Sequence, residues 1–286
     1  VMRVFVTGGT GYVGQAVQQA LLRHHHEISV LARHPSNLAV GAHFVAGDIR
    51  QVELTSVMQG FDVVIHLVGI IEEQRTKGIT FDVMHYQVTK RLVDAMKHNG
   101  LPRLIHISAL GTRENAPSRY HQSKWKAEQY IRQQGVNAII LRPSLLFGGG
   151  APFFQMLKTQ CHWPVVPIPG NGDTLLQPVA RQDVAELIAR LVDLPQYGGE
   201  TWEVGGPTVF TLNDLYRHVA KTIGRKHLPL FHVPLPLLFA AARLGQNLPG
   251  FPVTVDQLFM LNEPNITEDT RWHQIIAHPT PLGTDF

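Results

Sequence analysis

The run Val4-Phe5-Val6-Thr7-Gly8-Gly9-Thr10-Gly11-Tyr12-Val13-Gly14 constrains this chain more than any other feature. A short, largely apolar stretch breaks into the glycines Gly8, Gly11 and Gly14, and an apolar helical pattern follows. A strand turning sharply into a helix leaves unpaired backbone N–H groups at the helix N-terminus, where the macrodipole favours an anion. In such a turn Gly8 permits the tight reversal, Gly11 lets a pyrophosphate approach the backbone, and Gly14 allows close helix–strand packing. Thr10, Tyr12 and Val13 lie between the glycines and complete the candidate contact set. The expected ligand is a dinucleotide, because the glycines fall between a predicted strand and a predicted helix.

Strand and helix patterns alternate through the first half, which predicts parallel βαβ units and an α/β, Rossmann-type doubly wound sheet. The patterns predict helices over 15–23, 52–59, 81–98 and 120–133, and strands over 27–32, 44–46, 63–68, 104–108 and 138–141. The continuous apolar character of Val63 to Val68 predicts a strand buried on both faces. Beyond Pro143, proline and glycine become frequent and the alternation lapses. A soft boundary is therefore expected near 150. Residues 1–150 would form the dinucleotide-binding domain and residues 151–286 mostly a smaller, partly discontinuous C-terminal substrate domain. Later segments such as Thr201-Trp202-Glu203-Val204 could return to the first sheet.

Composition excludes several classes. A chain of 286 residues with 44% apolar and 16% charged residues is expected to be soluble and globular. The net charge is +3 with no dense Lys/Arg block, so nucleic-acid binding is not indicated. Cys161, the single cysteine, excludes an intramolecular disulfide and a cysteine-rich zinc site, and fits a reducing cytoplasm. The fold pattern begins at residue 3, from which no signal or transit segment is expected. No apolar run reaches the ~18 residues of a membrane span. The apolar segment Leu235 to Ala242 is expected to be a core or dimer helix rather than a membrane-docking one, because it lacks a basic polar face of its own. His24-His25-His26 reads as a solvated turn and not a metal site. Glu72-Glu73, near Arg75 and Lys77, reads as a solvated cover over the cofactor.

Two further constellations carry chemistry. The second strand ends in Arg33, where a carboxylate is expected if the adenosine ribose is unphosphorylated. A guanidinium there can instead pair with a 2′-phosphate, so NADP(H) is favoured over NAD(H). Gly47-Asp48-Ile49, after the third strand, places a carboxylate within reach of an adenine amino group. Tyr120 and Lys124 are four apart at the start of a predicted helix, which puts phenol and ammonium on one face. A nearby cation lowers a tyrosine pKa, as acid–base chemistry at a carbonyl or alcohol requires.

With these residues in place, the chain resembles the short-chain dehydrogenase/reductase superfamily in its extended or atypical branch. The resemblance rests on Thr7 to Gly14, Gly47-Asp48, Ser108, Tyr120 with Lys124, and Arg142-Pro143-Ser144 leading to Phe147-Gly148. Gln177-Pro178-Val179, Asp183-Val184-Ala185 and Glu203-Val204-Gly205-Gly206-Pro207 are similar to the subgroup near the NADPH-binding accessory subunit of respiratory complex I. The resemblance implies Tyr120 as general acid/base and Lys124 as the residue that holds the nicotinamide ribose. It also implies Asp48 facing adenine with Ile49 beside it, Leu67 and Val68 lining the adenosine pocket, and Pro143 with Ser144 near the nicotinamide amide.

The chain departs from the family pattern at three places. The usual catalytic serine or threonine position reads Leu110, so Ser108 or Thr112 would have to substitute. The helix asparagine of the proton relay reads Gln87. The arginine that holds a substrate pyrophosphate in sugar-nucleotide enzymes is replaced within Leu176-Gln177-Pro178-Val179-Ala180, and Arg181 offers a charge in a different register.

The favoured reading is an NADP(H)-binding oxidoreductase acting on a small or hydrophobic carbonyl or alcohol. The alternative is a non-catalytic NADPH-binding accessory or sensor protein, with association to a respiratory complex or a membrane periphery. A nucleotide-sugar epimerase or dehydratase ranks third. Substrate identity and oligomeric state are left open.

Overall fold

The computed structural model describes residues 1–245, 248 and 253–286. Its centre is a seven-stranded sheet in which every pairing is parallel. The first half runs β1 (Arg3–Thr7), α1 (Tyr12–Arg23), β2 (Glu27–Ala32), β3 (His43–Ala46), α2 (Leu54–Val57) and β4 (Val63–His66). A π-helical stretch, Asp82–Gln87, then leads into α3 (Val88–Asn99), followed by β5 (Arg103–Ile107), α4 (Arg119–Gln133) and β6 (Asn137–Pro143). Next come β7 (Leu146–Phe147), α5 (Pro152–Gln160), β8 (Val166–Pro169), β9 (Leu175–Leu176), β10 (Val179–Ala180) and α6 (Arg181–Leu191). The chain continues as β11 (Thr201–Val204), β12 (Phe210–Thr211), α7 (Leu212–Thr222), β13 (Leu230–Val233), α8 (Leu235–Gly245) and α9 (Val255–Asn262).

The sheet order is β11-β6-β5-β4-β1-β2-β3. Strand order reverses between β1 and β4, and ligands of open α/β sheets bind in the crevice outside the strand carboxyl ends at such a point. Alternation along β1 explains why the sheet is covered on both faces. Val4 and Val6 join Ile28, Ile65 and the apolar sides of α1 and α6. Phe5 points the other way, to Leu31, Val64, Leu104 and the apolar side of α3. A third cluster, including Phe147, Phe154, Val166, Ile168, Leu215 and Val219, holds together α5, α7 and β8.

Several expectations need adjustment. β4 stops at His66, two residues early: the Leu67 N–H donates the last ladder bond to the Thr7 carbonyl, and the backbone of Leu67 and Val68 then passes against Gly8. The helix expected over 52–59 shortens to α2. The core reading of Leu235 to Ala242 fails in a more informative way. Only Ala242 and Gly245 of α8 are buried. No helix among the described residues is long and apolar enough to cross a membrane.

Candidate functional site

The glycine turn is built as its composition requires. Gly8 has φ +73°, and a Cβ there would sit 2.7 Å from the Leu67 carbonyl carbon and 2.8 Å from the Val68 nitrogen. A Cβ at Gly14 would sit 2.3 Å from the Gly8 carbonyl oxygen. These contacts bring the end of β1, the start of α1 and Leu67-Val68 beyond β4 into one crevice. Gly11 is exposed and caps α1 without any side-chain bond. The Gln15 N–H donates to the Gly11 carbonyl at 3.0 Å, so the N–H groups of Tyr12, Val13 and Gly14 precede the first intrahelical bond. A cradle that excludes side chains and presents free N–H groups fits a pyrophosphate.

Two residues that carry no motif support this turn. Buried Gln18 donates to the Gly9 carbonyl at 2.6 Å and to the Asn37 carbonyl at 3.0 Å. Arg181, the first residue of α6, stacks 4.8 Å over the Tyr12 ring and donates to the Tyr12 carbonyl at 3.0 Å. Tyr12 Oη in turn donates to the Gly148 carbonyl at 2.6 Å. Thr10 offers its carbonyl to Asn37 Nδ2 at 3.5 Å.

At the far end of the crevice Arg33 is exposed. Asp48 receives Arg50 Nη2 at 2.7 Å and Arg50 Nε at 3.1 Å. Those hydrogen bonds, with a weaker pull from Arg33, hold the Asp48 carboxyl below the usual range. The carboxylate assigned to adenine is thus already engaged, and two guanidiniums stand near it. Ile49 turns inward to the core.

The other end of the site is α4. Ser118 caps it by accepting the His121 N–H at 3.1 Å. Asp256 of α9 adds a second cap, accepting the N–H of Arg119 at 2.6 Å and of Tyr120 at 3.2 Å. Lys124 is buried, donates to the Ile107 carbonyl at 3.4 Å, and lies 5.9 Å from the Tyr120 ring centre. The Tyr120 ring meets Phe81, His85 and His121 edge-on at 5.8, 5.1 and 5.2 Å. Burial pushes the phenol up to about 12, and the Asp256 charge adds to it. Burial lowers Lys124 to about 8, against the pull of Glu128.

The relay position read as Gln87 is placed elsewhere. Gln87 is exposed and donates to Asp82 at 2.7 Å. The inward positions of this stretch are Phe81, His85, Val88 and Thr89, so His85 stands beside the Tyr120–Lys124 pair. Ser123 Oγ donates to the Tyr120 carbonyl at 2.8 Å and lies 2.7 Å from His85 Nδ1. His85 Nε2 lies 3.1 Å from both the N–H and the carbonyl of Ile70. The neutral ring joins α4 to the loop after β4, and burial with the Lys124 charge holds His85 well below its ordinary pKa. π-Helical turns of this kind concentrate at functional sites.

Ser108 is buried and donates to Thr112 Oγ1 at 3.4 Å, while the Leu110 side chain is buried at the usual serine position. Pro143 ends β6, and Ser144 just beyond it donates through Oγ to Asn265 Oδ1 at 2.6 Å. Asn265 also accepts the Leu145 N–H and reaches the Leu110 carbonyl, at 3.2 and 3.3 Å. No sequence signal marked it. Leu176 is buried, and Gln177 bridges the Gly206 carbonyl and the Thr267 N–H.

Glu73 is not the solvated residue expected. It binds Arg75, Arg119 and the Phe81 N–H, which pins the loop after β4 to α4. The histidine triplet is a turn in which His24 pairs with Glu186 at 2.9 Å, but His26 is buried. Among the described residues no group of side chains could hold a metal ion.

Residues 8–195 match the model of a family described as NAD(P)H-binding. The subunit 9 of the NADH dehydrogenase [ubiquinone] 1 alpha subcomplex, mitochondrial, from Arabidopsis thaliana is 30% identical over 93% of this chain and 69% of that protein. Its Mus musculus counterpart is 29% identical over 68% of this chain, which spans 51% of the mouse protein. Among solved structures, a nucleoside-diphosphate-sugar epimerase from Staphylococcus aureus superposes with a TM-score of 0.78 at 17% identity, covering 98% of both chains. A dTDP-glucose 4,6-dehydratase from Streptomyces venezuelae with NAD bound gives 0.68 at 23% identity, covering 82% of this chain and 84% of that one. At such identities the two structures speak for the fold alone. The chain therefore belongs to the NAD(P)H-binding family.

Proposed function

We propose that this protein holds NADP(H) as a bound ligand in an accessory role of the kind the complex I subunits suggest, without turning it over. On this reading the N–H groups of Tyr12, Val13 and Gly14 take the pyrophosphate, and Arg33 with Arg50 takes the 2′-phosphate. Leu67 and Val68 line the adenosine, Lys124 holds ribose hydroxyls, and Pro143 and Ser144 stand at the nicotinamide amide. The bound dinucleotide would supply hydride chemistry only if a proton donor and acceptor were tuned beside it.

The observation that carries the non-catalytic reading is that, among the described residues, no free hydroxyl stands beside Tyr120: buried Leu110 fills the usual serine position and Ser108 donates to Thr112. Catalysis at neutral pH needs a phenol pKa drawn down towards 7. Burial and Asp256 instead push it up to about 12. Retention of Tyr120 with Lys124 favours the second reading, an NADP(H)-dependent reductase of a carbonyl. The apolar Leu176 and the structurally engaged Gln177 disfavour sugar-nucleotide chemistry.

Tyr120→Phe separates the two readings. NADPH affinity is expected to stay within about tenfold of wild type, since a phenol hydroxyl adds at most a single hydrogen bond. Neither protein is expected to consume NADPH over a panel of aldehydes, ketones and quinones. Wild-type turnover that Tyr120→Phe abolishes would establish the reductase instead.

A further inference from the structure

α8 presents its apolar side outward. Leu237, Ala241 and Leu244 are exposed at i, i+4 and i+7, and Leu237 and Leu244 are 63% and 85% accessible. The inner side is already satisfied: Phe239 packs on Phe259 at 4.9 Å and Ala242 is buried. The outward stripe is thus surplus to the fold.

It continues onto neighbouring elements. β13 leads directly into α8 and pairs with β8, setting Phe231, 60% exposed, opposite Pro167. Just before β8, Trp163 and Val165 are 44% and 49% exposed. Arg225 donates to the carbonyls of Cys161 and Pro164 at 2.6 and 3.2 Å, which seats Lys226 beside that tryptophan turn. Adjacent exposed apolar groups of this number mark an interaction surface, unlike scattered single ones.

Charge identifies the partner. Residues 215–255 contain Arg217, Lys221, Arg225, Lys226 and Arg243 and no Asp or Glu, and the carboxylates that flank this stretch are engaged, Asp214 by Arg217 and Asp256 by the N–H groups of Arg119 and Tyr120. Residues 150–172 likewise contain no Asp or Glu and contribute Lys158. No carboxylate pairs with Lys158, Lys221, Lys226 or Arg243 among the described residues. Two copies meeting on this face would bring like charges together, whereas an anionic bilayer neutralises them. Exposed Trp and Phe beside leucines and lysines are the composition of a helix lying in a bilayer interface. The basic side missing from the α8 segment itself is supplied by the neighbouring segments.

We propose that α8, with the 162–165 turn and Phe231, docks this protein on the surface of an anionic phospholipid bilayer. The proposal stands apart from whether the cofactor is turned over. The test is flotation of the full chain with vesicles of phosphatidylcholine alone and of phosphatidylcholine with phosphatidylglycerol. Wild type is expected to partition onto the anionic vesicles at least ~10-fold better, with added salt weakening it. Leu237→Glu/Leu244→Glu is expected to lose at least ~10-fold of that partition while keeping the wild-type melting temperature, because both positions are exposed. Lys226→Glu is expected to weaken anionic binding and leave neutral vesicles unaffected. Absence of wild-type binding to anionic vesicles, or full binding by the double variant, overturns the proposal. So does a wild-type dimer that ignores vesicles and is dissociated by the double variant, which would make a second copy the occupant.

Discussion

Acidification to about pH 5 is expected to unfold this protein, well above the pH at which ordinary surface carboxylates titrate. His66, His85, His106 and His121 are buried and held neutral. Burial lowers His66 to about 3 and His121 to about 4, and takes His85 and His106 well below their ordinary value. Geometry agrees for His66. Thr89 Oγ1 donates to the His85 carbonyl at 2.6 Å and accepts from His66 Nε2 at 2.9 Å, so His66 Nδ1 accepts from Thr7 Oγ1 at 2.6 Å.

The sign follows from proton counting. Each histidine binds a proton in the unfolded chain below about pH 6.5 and remains unprotonated in the fold, so stability is present above that pH and falls beneath it. The loss is roughly 1.4 kcal/mol per pH unit per histidine, or about 5.5 kcal/mol per unit for four. A total stability of about 5–15 kcal/mol is consumed within about one to three such units, and one in the lower half of that range is gone by about pH 5. Urea midpoints measured stepwise from neutral pH to pH 4.5 provide the check (about half-unit steps suffice to resolve the slope). His106, whose two ring nitrogens have no partner, supplies the control. His106→Leu is expected to flatten the slope by about one quarter. A pH-independent midpoint would contradict the neutral cluster.

Lys124→Met is expected to stabilise the ligand-free protein by roughly 3 kcal/mol near pH 7. Burial lowers the ammonium to about 8 from 10.5, so below pH 8 the fold carries the full cost of a desolvated cation. The cost fades as pH rises towards 10.5, because the amine is then neutral in both states. The same substitution removes the donor assigned to the ribose hydroxyls, so NADPH affinity is expected to fall at least ~10-fold. A gain in melting temperature coupled to a loss of binding is the signature of a residue kept for its ligand. Lower stability with unchanged affinity would assign Lys124 a structural role instead.

Short-range rules carried much of the architecture. Gly8, Gly11 and Gly14 announce a turn with no room for side chains, and Val4 to Val6 and Val63 to Ile65 announce buried parallel strands. What escaped the sequence depends on distant parts of the chain meeting. Asp256 caps α4 from 136 residues away, and Asn265 reaches Ser144 across 121. A lone Asp or Asn has no spacing rule that could announce such a role. Gln87 was misplaced because family register is not geometry; the inward positions of that stretch are held by His85 and Thr89. Glu73 looked solvated because its partner Arg119 is 46 residues on. The core half of the reading of Leu235 to Ala242 failed for a related reason. Composition says that a stretch avoids water, but not whether its own chain covers it.

The central claim is that this crevice selects NADP(H), and equilibrium titration with NADPH and NADH, followed by nicotinamide fluorescence, tests it most directly. Wild type is expected to bind one NADPH, at least ~10-fold more tightly than NADH, since a guanidinium pairs with a 2′-phosphate by charge-assisted hydrogen bonds. Arg33→Ala is expected to remove most of that preference and leave NADH affinity nearly unchanged. Equal affinities for the two dinucleotides in wild type, or equal losses in Arg33→Ala, would contradict it.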